Sequence, residues 1–297
     1  MDDATLATLR TAASAVTDVG FATMVGALAT LALLQDTSSD WAARGARRGR
    51  ALFTRASLLA LAASLAWMAV QAIAMSDPAP GAALLSIGDL AVDTGFGRAW
   101  AVATLALIGC AALAIASRYR PMPLRRLGVG LTLVAVARAS AGHAGANGFG
   151  WLVPTMAVHM LAMGLWAGGV FAAALGVLRG EPHPVDGARY AGRLSALATA
   201  ALAGVVATGL ASAWHGLGGS LAPATPGTAS SWGATLDVKL VLVAIAVTLG
   251  GFNRLVVMPS LPGAWNRFVR VLRIEALVLL ATLVAAAWLA NGEPPAV

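Results

Sequence analysis

About eight long apolar stretches run through this chain of 297 residues, and most of its basic residues sit in every second gap between them. The stretches fall at about 10–34, 52–75, 96–116, 124–142, 152–178, 190–214, 233–256 and 270–290. A helix needs about 20 apolar residues to cross a hydrocarbon core. Barrel strands would be about half as long and would alternate in polarity, so helices are the spanning element. Composition points the same way: 59% of residues are hydrophobic and 11% charged, against about a quarter charged in a soluble domain. The expected fold is therefore all-α, a polytopic membrane bundle of eight transmembrane helices forming one integral membrane domain over 1–297.

The charges set an orientation. Arg44, Arg47, Arg48, Arg50 and Arg55 cluster at the first gap, and Arg118, Arg120, Arg125 and Arg126 at the third. Arg179, Arg189 and Arg193 mark the fifth, and Arg254, Arg267, Arg270 and Arg273 the seventh. These are 16 of the 20 basic residues. Arg10, Arg98, Arg138 and Lys239 fall in the opposite half. Positive charge marks the cytoplasmic side, so both termini and gaps two, four and six are expected to face outward. The net charge of +7 is spread over short loops, which argues against a nucleic-acid surface. The acidic start MDDATLATLR lacks the basic region of a secretory signal, and the first stretch is read as a retained span.

Gap two contains AALLSIGDLAV, expected as a short helix on the outer surface, and gap six, GLGGSLAPATPGTASS, has the composition of a flexible loop. A weak repeat pairs Arg55/Ser57 with Arg193/Ser195 and Phe96-Gly97 with Trp232-Gly233, which would divide the chain into four-helix halves, 1–147 and 148–297. Chance similarity in Ala/Leu/Val helices explains it equally well. Gly164, Gly168, Gly169, Gly204 and Gly209 are sites where helices can approach closely. Cys110, the single cysteine, lies in an apolar stretch and reads as a packing residue.

Three of the four histidines fall on the outward side. His143 ends the fourth span and His215 the sixth. His159 lies eight residues into the fifth, roughly 12 Å below the outer boundary. His183 sits in a cytoplasmic loop beside Glu181 and Asp186. Within MAVHMLAMGLW, Met156 and Met163 share a helix face with His159, whereas Met160 is turned away. Thioether and imidazole suit Cu(I), and neither adds charge to the membrane interior. Methionine is also ordinary filler of apolar helices, but an ionisable side chain inside a span is a functional candidate. Asp18, Arg138, Asp237 and Lys239 add charge to the outer half. Isolated charges are costly there, so pairing is expected, with Arg138–Asp18 and Arg138–Asp237 as the alternatives. Such pairs serve either to fix helix register or to relay a proton or cation. No Gly-rich phosphate loop, HExxH, GxSxG or paired carboxylate appears, so the chain reads as other than an enzyme.

With these residues noted, the chain resembles the CopD-type copper resistance family of bacterial inner-membrane proteins. The resemblance rests on ASAGHAG (Ala139 to Gly145), VHMLAMGLWAGG (Val158 to Gly169), TGLASAWH (Thr208 to His215) and WGATLDVKLVLVAIAVTLGGFNR (Trp232 to Arg254). The motif residues are His143, His159 with Trp166, Gly168 and Gly169, and Lys239 with Asn253 and Arg254. The family implies copper handling across the inner membrane of a bacterium, with the lipid bilayer as surroundings and a separate periplasmic partner of the CopC type. On that analogy His143, His159 and His215 would be copper ligands at an outward-facing site, with Met156 and Met163 the next step inward and Cu(I) favoured over Cu(II). A second reading is a b-type cytochrome or oxidoreductase in which two of the same imidazoles hold haem. A third is a membrane scaffold or sensor without bound metal.

Overall fold

A computed structural model describes residues 2–75, 85–142, 150–180, 183–216 and 231–292. Among these, the chain is helical and contains no strand. The helices are α1 (Asp3–Leu34), α2 (Asp40–Met75), α3 (Ile87–Asp93), α4 (Gly95–Ala116), α5 (Leu124–Ala141), α6 (Leu152–Val177), α7 (Pro184–Gly216), α8 (Ser231–Ser260) and α9 (Trp265–Asn291). Two of them change winding: α6 passes through wider π-turns at Gly164–Gly168 and Ala173–Val177, and α8 through one at Asn253–Val257. Among the described residues, seven helices are long and apolar enough to cross a membrane. The remaining long one, α5, has 18 residues and carries Arg125, Arg126 and Arg138, so the expected count of eight rests on it. The short helix expected in gap two is α3, which has no buried residue.

Several helices outrun their apolar stretches. α2 begins at Asp40, twelve residues before its apolar stretch, because the Ser39 hydroxyl accepts the Ala42 N–H and Trp41, Ala42, Gly45 and Gly49 are buried. α7 begins with Pro184 at its first position, where a missing N–H costs nothing. Apolar runs report where lipid is, not where hydrogen bonding stops. α1 starts at an Asp2 cap that accepts the Thr5 N–H at 3.0 Å, satisfying one of the unpaired first-turn donors.

α1 and α6 are the most buried spans, and a backbone-close crossing joins them. A Cβ at Gly26 would collide with the Gly168 backbone, one at Gly168 with the Ala22 carbonyl, and one at Gly164 would lie 2.8 Å from Val25 Cβ. Without a hydrophobic drive between helices in lipid, such close packing is a main source of association. Gly204 and Gly209 meet their neighbours only at ordinary contact distances, so the close approach belongs to α1–α6, not to α6–α7. The core has two clusters. One gathers Phe21, Met24, Phe53, Cys110, Leu127 and Val153; the other Trp41, Trp166, Phe171, Leu194, Trp265 and Leu279.

Large side chains such as Leu58, Leu59, Leu105, Ile108, Leu240 and Leu277 point outward, the surface expected of a bundle whose solvent is lipid. Exposed Trp151, Trp214 and Trp288 stand at one end of the bundle, as interfacial tryptophans do. The start of α1 and the end of α9 share that end, where Arg10 donates to the Asn291 carbonyl. At the other end arginines tie helices together. Arg48 donates to the Arg179 carbonyl just past the end of α6 at 2.8 Å, where terminal carbonyls lack helical partners. Arg254 donates to Ser195 and Thr199 within α7 and so joins α8 to it.

Candidate functional site

The α6–α7 seam carries the most chemically informative arrangement. α6 descends from the tryptophan-lined end while α7 rises towards it, so His159 meets Thr208. The His159 Nδ1 and Thr208 Oγ1 lie 2.9 Å apart. Thr208 Oγ1 also lies 2.6 Å from the Gly204 carbonyl and 3.2 Å from that of Val205. With its one proton turned to either carbonyl, the hydroxyl accepts from the ring, the tautomer that protonates Nδ1 and leaves the Nε2 lone pair free. A ring held through one nitrogen with the other uncommitted is the state in which histidine ligates a metal. Gly209 runs alongside Cε1, and the Lys239 ammonium of α8 is near enough to act on the ring electrostatically.

His215 lies on the same seam at a higher level. Its exposed ring meets Trp151 edge-on, with centroids 5.5 Å apart. Thr208 to His215 is seven residues, roughly 10 Å of helical rise. Metal–imidazole bonds are about 2 Å long, so two rings on one ion need their nitrogens within about 4 Å. The structure brings His159 to Thr208 and His215 to Trp151, at separate levels rather than around one point. His143 lies outside the described residues. Among those described, no three His, Cys, Asp or Glu side chains gather into a metal-binding group. Nor do His159 and His215 face each other as the opposed axial pair that a haem between facing helices requires.

The methionines divide between the two cores. Met156 packs on the cluster around Phe21, Phe53 and Val153, whereas Met163 packs on the one around Trp166 and Leu194. Met163 immediately precedes the π-turn at Gly164, where regular helical spacing ends. Of the two pairings open to Arg138, the structure forms the one with Asp18 of α1, at 2.6 Å. Asp237 is exposed. Trp166 and Asn253 are both buried, and Asn253 Nδ2 donates to the Phe268 carbonyl at 3.2 Å while Oδ1 has no partner among the described residues. His183 remains exposed at the arginine-rich end, 3.5 Å from Asp186.

One residue escaped the sequence reading. Glu275 lies in α9, ten residues from its start, and is only 3% exposed. Trp166 is the side chain that acts on its carboxyl, and a Cβ on Gly250 would come within 3.1 Å of Oε1. The signal was present: a lone glutamate inside an otherwise apolar stretch. It was hidden by Arg267, Arg270 and Arg273 just before it, which made it look like part of a charged helix end.

Two family descriptions match this chain. Residues 1–152 match the copper resistance protein D-like N-terminal domain, and residues 188–289 match copper resistance protein D. The chain belongs to the copper resistance protein D family. No curated protein and no solved structure matches it. Within this CopD-family bundle, His159 lies between the two matched regions, whereas Thr208, Lys239 and Glu275 all fall inside the second.

Proposed function

We propose that this CopD-family protein binds copper from the outward side and passes it through the bundle, with the free Nε2 of His159 as the principal ligand. The observation that carries the reading is the Thr208 hydroxyl 2.9 Å from Nδ1, which would hold the ring and leave Nε2 for the metal. His215, about two turns higher, would serve as an earlier station, with His143 as a further candidate ligand. Met156 and Met163 would offer thioethers for Cu(I) on the inward course. On this reading copper is cargo, and the protein is a transporter rather than an enzyme.

The same reading takes the tryptophan-lined end as periplasmic and the arginine-capped end as cytoplasmic, with α5 as the eighth span of an inner-membrane bundle. A separate CopC-type protein would deliver copper to the outward face. A reporter fused after Val297 that is active only in the periplasm tests the orientation. For the site, Cu(I) titration of the purified protein should show binding that His159→Ala abolishes. Thr208→Val, which cannot hold the ring by hydrogen bonding, should weaken binding roughly ten- to a hundredfold, as loss of a ligand-orienting partner does. Unchanged Cu(I) affinity in both variants would refute His159 as the ligand.

A further inference from the structure

Glu275 is the buried ionisable group that the copper site leaves unused. It lies where α6, α8 and α9 meet, 97% buried, with Trp166 and the Gly250 backbone against its carboxyl. Every charged group on the packed elements is committed elsewhere or distant. On α1, Asp18 is paired with Arg138, and Arg10 is at the far end against Asn291. α6 contributes only His159, held by Thr208. On α8, Lys239 acts on His159, Asp237 is exposed and Arg254 is taken by Ser195 and Thr199 of α7. On α9 itself Arg270 and Arg273 are exposed, and Arg267 is exposed over the Phe252 ring. Among the described residues no Lys, Arg or His pairs with this carboxyl.

A second observation points to the same seam. Asn253 is one turn along α8 from Gly250, is equally buried, and its Oδ1 has no partner among the described residues. It opens the π-turn Asn253–Val257, while Trp166 lies in the π-turn Gly164–Gly168. Such turns occur often at functional sites. An isolated carboxylate without a cation is not sustained in an apolar interior, so the group must carry its own neutralising cation.

We infer that Glu275 is the proton station of the bundle, holding a proton when no cargo is present and releasing it when a monovalent metal ion passes. The inference rests on the copper reading above. The step is an exchange: the carboxyl O–H breaks, the proton leaves to water, and the carboxylate becomes counter-charge to the incoming monovalent ion. Local charge is zero before and after, and no electron moves.

The test uses the full-length protein in liposomes and dicyclohexylcarbodiimide, which modifies protonated carboxyls in apolar surroundings, with adducts mapped by mass spectrometry. Metal-free protein should be labelled at Glu275, and Glu275→Gln should lose that adduct. Saturating Cu(I), kept reduced, should slow labelling about tenfold, as a bound ligand in excess does. Absence of a Glu275 adduct in folded, metal-free protein overturns the inference. So does an adduct that forms equally fast with Cu(I) in protein shown by dialysis to hold it. Wild-type protein that holds no Cu(I) in that dialysis overturns the copper reading itself, which is distinguishable because no carbodiimide is involved.

Discussion

Asp18 and Glu275 are both carboxyls inside the bundle, and they are neutralised in different ways. Asp18 meets the Arg138 guanidinium at 2.6 Å, each side chain about a quarter exposed. Glu275 is more deeply buried and has an indole and a glycine where Asp18 has a cation. A fixed counter-charge makes a carboxylate a structural bond between α1 and α5. A carboxyl without one must take up and lose its own cation, so the same functional group becomes mobile chemistry. The difference lies in the partner, not in the acid.

The sharpest way to break that contrast is to remove the fixed cation. Arg138→Met leaves Asp18 unpaired and should destabilise the bundle by about 3 kcal/mol, measured by thermal unfolding in detergent. Adding Asp18→Leu should recover most of the loss. Next comes space: Gly250→Val pushes a branched side chain at the Glu275 carboxyl, costing about 2 kcal/mol, with partial recovery on adding Glu275→Ala. Isosteric amides compare the acids directly. Glu275→Gln keeps an acceptor for the indole and should cost less than about 1 kcal/mol, whereas Asp18→Asn should cost more because it strands Arg138. Equal costs would erase the distinction.

The smallest effect concerns a carboxylate in water. The Thr5 hydroxyl and backbone N–H donated to Asp2 hold its carboxyl below the usual carboxylate range. Because the folded value is depressed, this cap contributes above the unfolded value and is lost as pH falls through the folded one. Amide exchange in the first turn of α1 should therefore speed up in acid, and Asp2→Ala should remove that pH dependence.

Much of the architecture was legible because lipid imposes a simple code. Apolar length marks a span, and arginine marks the gap between spans. The code is blind to hydrogen bonding beyond the lipid, which is why α2 and α7 begin well before their apolar stretches. It also marked the α5 stretch as a span, whereas three arginines in its 18 residues leave that helix outside the seven that are apolar enough to cross a membrane. At the site, His159 stood out because an imidazole inside a span is rare. Its partner Thr208 did not, since threonine is common in spans and only packing selects one. Helix periodicity grouped Met156 with Met163, but one face of α6 borders two cores and a π-turn follows Met163.

By itself, the amino-acid sequence determined that this is a helical membrane protein of the copper resistance D family with His159 and His215 towards one end. Patterning along the chain is enough for that, because lipid rewards apolar length wherever it occurs. Tertiary structure alone decided that His159 meets Thr208, that Arg138 takes Asp18, and that no cation among the described residues pairs with Glu275. Each of these depends on which helices touch and at what level. In Ala- and Gly-rich spans, almost every face can pack against another, so the letters leave that choice open until close contacts such as Gly26 on Gly168 fix it.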